Sequence, residues 1–213
     1  MQTPDTDLRL RQELVNSMLH GFGILFGIIS IPVLLTLAAK ADSTDKIIGT
    51  GVYGFSFLMV FTFSTLYHGF QHEKLKQTFK ILDHISIYFL IAGTYTPLLL
   101  IYHRNSFGTN LLIVLWTLTL LGTVFKIFCC GKWETLSTII YLLMGWSMFS
   151  GGWSFFSQMP QDVLILVIAG GCLYSIGVIF YVWEKYLYSH AVWHSFVLAA
   201  AICHYVAILI SVS

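Results

Sequence analysis

The chain has 213 residues, of which 57% are hydrophobic and 10% charged, with a net charge of +1 and a mean hydropathy of +0.79. Soluble domains carry about 25% charged and about 45–50% apolar residues, so this composition excludes a soluble globule, a secreted disulfide scaffold and a disordered chain. The near-neutral balance speaks against a nucleic-acid partner, and the long apolar blocks predict an all-α polytopic membrane protein.

In chain order, residues 1–17 form a short polar tail with Asp7, Arg9, Arg11 and Glu13, and the first apolar run is too long for a cleavable signal peptide. Residues 18–213 hold seven apolar blocks, each near the ~20 residues that cross a bilayer as a helix: Met18–Ala39, Ile47–Phe70, Ile81–Tyr102, Thr109–Phe128, Thr135–Trp153, Val163–Trp183 and Ala191–Val212. The blocks do not alternate as barrel strands do. Gly23 and Gly27 in the first helix, and Gly151, Gly152, Gly170, Gly171 and Gly177 in later ones, allow backbones to approach closely. Pro32 and Pro97 fall inside helices one and three, and the run Phe55–Phe63 faces lipid or the core. Cys172 and Cys203 lie within helices, and Cys129 and Cys130 at a helix end, where adjacent thiols are either idle or lipidated.

Basic residues set the orientation. With the N-terminus cytoplasmic, Arg9, Arg11, Lys74, Lys76, Lys80, Lys126, Lys132 and Lys185 face inward, while Lys40, Lys46 and Arg104 face outward. This positive-inside bias places the C-terminus outside and predicts a multi-pass protein of the cell (inner or plasma) membrane.

The polar residues inside the apolar blocks carry the functional signal. His20, His68, His84, His190 and His194, with Asp83, all fall near the same cytoplasmic interface. His190 and His194 are spaced i, i+4 and share one helix face about 6 Å apart; Ser64 and His68 have the same spacing on helix two. A carboxylate within a span costs at least ~2.5 kcal/mol and faces the bundle interior. Imidazoles from two helices and a carboxylate from a third can offset that cost by binding a metal, and three nitrogen ligands with an open fourth position describe a catalytic zinc site. Iron and manganese accept similar ligands. Glu13, Asn16 and His20, spaced i, i+3 and i+7, form a polar stripe that either lines the cytoplasmic mouth or solvates it; they are not read as ligands. His84 points about 100° away from Asp83 and belongs outside the same shell. His72 and His103 read as loop residues, and His204, about 15 Å deeper than His194, as a cross-helix hydrogen-bonding group.

The pattern Glu13-xx-Asn16-xxx-His20-Gly21, Ser64-xxx-His68, Asp83-His84, Ala92-Gly93-Thr94-Tyr95-Thr96-Pro97 and His190-xxx-His194 resembles the hemolysin III branch of the progestin and adipoQ receptor family over about residues 13–210. The resemblance implies seven helices with a cytoplasmic N-terminus and a Zn2+ site near the cytoplasmic face. It implies His68, His190 and His194 as the metal ligands, Asp83 in contact with the zinc-bound water, and Ser64 in the same polar cluster. Some eukaryotic members are ceramidases, and some bacterial members are linked to membrane lipid homeostasis. The expectation is therefore a zinc-dependent hydrolase of lipid amide or ester bonds, with Asp83 and Ser64 as catalytic residues and a lipid-like substrate such as ceramide or an N-acyl lipid. The other readings are a non-enzymatic receptor or lipid-state sensor with structural zinc, and the cytolysin that the family name suggests. A b-type cytochrome fails because His84 and His103 do not match the fourteen-residue spacing of His190 and His204.

Overall fold

A computed structural model describes residues 4–183 and 187–213; Lys185, expected among the inward basic residues, lies outside them. The described residues are helical with no strand: α1 (Pro4–Lys40), α2 (Thr44–Gly69), α3 (Glu73–Tyr102), α4 (Ser106–Cys129), α5 (Glu134–Gly145), a 3₁₀ turn (Ser147–Gly151), α6 (Gly152–Phe156), α7 (Gln161–Val182) and α8 (Ser189–Val212). Six of these helices, α1 to α4, α7 and α8, are long and apolar enough to cross a membrane. This is an integral, multi-pass membrane protein built as a helix bundle.

The long helices pack largely in chain order, with α5 against α3 and α7. α1 packs on α2, α2 on α3, α3 on α4 and α7 on α8, and α1 closes the ring against α8. The core is filled from α1, α2, α3 and α8 by Leu34, Tyr53, Phe57, Phe61, Tyr88 and Ile208. The run Phe55–Phe63 divides by face, with Phe57 and Phe61 buried and Phe55 exposed. α1 begins at Pro4, so the described part of the polar tail is already helical. Pro32 and Pro97 lie inside α1 and α3, as expected.

Gly23 and Gly27 sit at close helix approaches as expected, whereas Gly152 has open space around it at φ +56°. A Cβ added at Gly23 would run into the ring of Phe61, and one at Gly27 into Leu58 and Phe57. At Gly21 there is open space. Gly23→Ala is therefore expected to destabilise the bundle by about 1–3 kcal/mol through overpacking. Gly21→Ala is expected to be neutral or to stabilise by up to about 1 kcal/mol, because Ala is the better helix former. Thermal unfolding of the two variants in detergent checks the α1–α2 contact; equal midpoints would contradict it.

The fifth predicted block is where the structure departs from the sequence pattern. Thr135–Trp153 reads as one continuous span, but α5 stops at Gly145 and the chain continues as a 3₁₀ turn and the short α6. The break is satisfied from α3: the Tyr95 hydroxyl donates to the Gly145 carbonyl at 2.6 Å and accepts from the Met148 amide at 3.1 Å. Trp146 Nε1 donates to Ser175 Oγ on α7 at 2.9 Å. Backbone groups freed within a membrane must find such partners inside the protein.

Candidate metal centre

α2 ends, α3 begins and α8 begins at one end of the bundle, where the polar residues converge. His68 lies in the last turn of α2, Asp83 in the third turn of α3, and His190 and His194 in the first two turns of α8. One ligand atom each from His68, His190 and His194 lies within 4.8 Å of the others. His68 Nε2 and His194 Nε2 are 3.0 Å apart. The His190 ring centroid is 5.1 Å from that of His68 and 4.5 Å from that of His194. His68 and His194 are buried and His190 is half-buried.

The donor set fits a zinc ion. Zinc–nitrogen bonds of about 2.0–2.1 Å in a tetrahedral array hold two ligand nitrogens about 3.4 Å apart, close to the separation of the two Nε2 atoms. Those two nitrogens face each other deep in a membrane protein. One positive centre between them satisfies both lone pairs, where a shared proton would satisfy the pair as a single hydrogen bond.

Glu13 fixes the orientation of one candidate ligand, a role that sequence reading missed. Its Oε2 is 2.6 Å from His68 Nδ1, and its Oε1 accepts from Lys76 Nζ at 2.9 Å. With Nδ1 bound to the carboxylate, the Nε2 lone pair of His68 is aimed into the cluster. A carboxylate behind a ligating imidazole orients the ring and raises its basicity, and losing such a partner typically costs about 10–100-fold in metal affinity. Glu13→Ala is expected to weaken metal binding by that factor with the fold intact, as read by competition with a chelating dye; unchanged affinity would remove Glu13 from the site.

Asp83 is buried, 8% exposed, one turn after Lys80. Ser64, His84 and His68 are its polar neighbours. The fully buried Ser64 Oγ has no hydrogen-bond partner. The rest of the α1 stripe arrives here too. His20 is 2% exposed, its ring centroid is 3.9 Å from that of His194, and neither ring nitrogen has a partner. Asn16 Oδ1 is likewise buried and unpartnered. The stripe is therefore part of the polar cluster rather than solvated surface.

A cavity of about 430 Å³ opens from this cluster. Asp83, His20, His190 and His194 line its polar end; Ile87, Ile91, Trp146, Val178 and Val197 form apolar walls; His204 lies at its depth. Its volume is within the usual range of small-ligand sites, about 300–1,000 Å³.

A family profile described as "Haemolysin-III related" matches residues 8–205. The chain belongs to that family. It is 38% identical over 200 residues to "Hemolysin-3" of Bacillus cereus, covering 94% of this chain and 91% of the relative. It is 40% identical over 200 residues to "Hemolysin-3 homolog" of Bacillus subtilis (strain 168), covering 94% of each. The "Monocyte to macrophage differentiation factor" of Homo sapiens is 29% identical over 199 residues, covering 91% of this chain and 81% of the relative.

The remaining histidines of this haemolysin-III related chain divide as follows. His204 Nε2 pairs with the Val167 carbonyl across α7–α8 at 3.1 Å, as expected. His72 is exposed at the start of α3. His103 lies in the connection after α3, as expected, but it is not solvated: it is 2% exposed and stacked on Phe155 with ring centroids 4.2 Å apart. His84 is turned away from the three-histidine cluster, toward Cys130 and Glu134.

Proposed function

We propose that this protein is a zinc-dependent hydrolase of lipid amide or ester bonds, ceramidase-like, acting in membrane lipid homeostasis. What carries the reading is one juxtaposition: the buried Asp83 carboxylate with His190 and His194 at the polar end of a largely apolar cavity, and His68 converging on the same two histidines from behind it. Such a cavity selects a substrate with a polar linkage and an acyl chain, because the chain leaves lipid for an apolar wall while the linkage reaches the polar end. His68, His190 and His194 would hold the zinc. When bound there, zinc lowers the pKa of a water to about 7 and polarises a carbonyl oxygen.

The protein's own groups have separate tasks. Glu13 keeps the His68 ring in the tautomer that leaves Nε2 free. The Asp83 carboxylate takes up the proton of the attacking water and returns it to the leaving amine or alcohol, as a general base and then a general acid. Ser64 hydrogen-bonds the Asp83 carboxyl or the water beside it. The walls of the cavity exclude bulk water from everything except the polar end.

The same reading holds that the chain crosses the membrane seven times, with the α5 to α6 segment as the broken crossing, and that the N-terminus and the metal centre face the cytoplasm. The positive-inside distribution supports it. The test is product release: purified protein in liposomes is given ceramide, N-acyl and ester lipids, and fatty acid is measured. Turnover of one class supports the hydrolase. Absence of turnover over the whole panel by zinc-loaded protein contradicts it and favours a sensor with structural zinc.

A further inference from the structure

Outside the three-histidine cluster, one other group of side chains has the composition and spacing of a metal site. We propose that His84, Cys130 and Glu134 form a second, separate site that takes a thiophilic divalent ion such as zinc. One ligand atom from each residue lies within 4.8 Å of the others. His84 Nδ1 is 3.8 Å from Cys130 Sγ and 3.4 Å from Glu134 Oε2. A tetrahedral zinc with bonds of about 2.3 Å to sulfur, about 2.0–2.1 Å to nitrogen and about 2.0–2.2 Å to oxygen sets those separations near 3.6 and 3.4 Å. The three donors are already spaced as though around one ion.

The surrounding structure holds them there. His84 lies in α3 with only 12% of its side chain exposed. Cys130 caps the end of α4, and Gly131 follows at φ +82°, a left-handed conformation that suits glycine. That turn brings Glu134, the first residue of α5, back over the thiol, and the Gly131 amide donates to Glu134 Oε1 at 2.8 Å. Oε2 is left facing His84 and Lys126. His84 and Glu134 also line the cavity, so a bound ion would tie the α4–α5 turn to α3 at its wall.

The Lys126 ammonium, with 0% of its side chain exposed, is 2.5 Å from Glu134 Oε2. It serves as the resident cation when no metal is present. On metal binding the Cys130 thiol releases its proton to solvent and the thiolate joins the ion, so the site gains one net positive charge beside Lys126. Removing that ammonium is therefore expected to tighten metal binding, whereas a merely structural ion pair would only be weakened by its loss.

The experiment uses the full chain purified in detergent and loaded with Co2+, whose thiolate-to-metal charge-transfer band in the near ultraviolet marks a sulfur ligand. The wild type is expected to show the band, Cys130→Ser and Glu134→Gln to lose it, and His194→Ala to keep it. Lys126→Met is expected to raise Co2+ affinity several-fold. No thiolate band in the wild type, a band that survives in Cys130→Ser, or weaker binding in Lys126→Met would each overturn the proposal. Because the three-histidine cluster contains no sulfur, its failure to bind metal would appear separately, as a His194→Ala variant that loses no metal.

Discussion

Asp83→Asn is expected to lower lipid hydrolysis by about 10²–10⁴-fold, the usual contribution of a positioned acid–base group, while leaving metal content unchanged. The substitution preserves the shape of the side chain and removes its capacity to accept a proton. Asp83 is buried beside the histidine cluster, with Ser64 and His68 as neighbours, and lines the polar end of the cavity. No other carboxylate has that combination among the described residues: Glu13 is bound between His68 and Lys76, and Glu134 between Lys126 and the Gly131 amide. The measurement is fatty-acid release at saturating substrate together with elemental analysis. A variant that loses both turnover and metal would make Asp83 a structural group. A variant as active as the wild type would remove it from the chemistry.

Removing the metal is the second large effect. An ion that binds only the folded bundle stabilises it by about 2.7 kcal/mol at a free concentration of 100 Kd, equal to a rise in midpoint of roughly 5–10 °C for a chain of about 200 residues. The histidines come from α2 and α8, and Glu13 brings in α1. The ion would therefore join α1 and α2 to α8, at the other end of the chain. A chelator is expected to lower the thermal midpoint of the wild type by that amount. In His68→Ala, which already lacks a ligand, it is expected to have a much smaller effect. Equal chelator sensitivity in the two proteins would contradict a shared metal centre. His68 is suited to this comparison because its loss also releases Glu13, which keeps Lys76 as an ion-pair partner.

Much of this was legible in the sequence because it depends on local periodicity. A long apolar block that keeps its own backbone hydrogen bonds is a membrane helix, so six of the seven blocks appear as long helices where the composition placed them. The pair His190 and His194 shares a face by spacing alone, and Asp83 stood out as a charge inside an apolar run. What stayed hidden depends on residues far apart in the chain. The break of the fifth block after Gly145 is satisfied by Tyr95, 50 residues earlier, and no local pattern reports a hydroxyl supplied by another helix. The role of Glu13 needs His68, 55 residues away. A signal for it was nonetheless present: Glu13, Asn16 and His20 share one face of α1, and a face that delivers His20 to the cluster also carries Glu13 toward it. The grouping of His84 with Cys130 and Glu134 depends on the turn at Gly131, whose conformation only the structure supplies.

The most direct measurement is the number of zinc ions bound per chain, by elemental analysis of purified protein in the Cys130→Ser background, where only the three-histidine centre remains to bind. One equivalent is expected in that background and none when His194→Ala is added, with the helical content of both proteins equal. Retention of a full equivalent after His194→Ala would contradict the assignment of His68, His190 and His194 as the metal ligands.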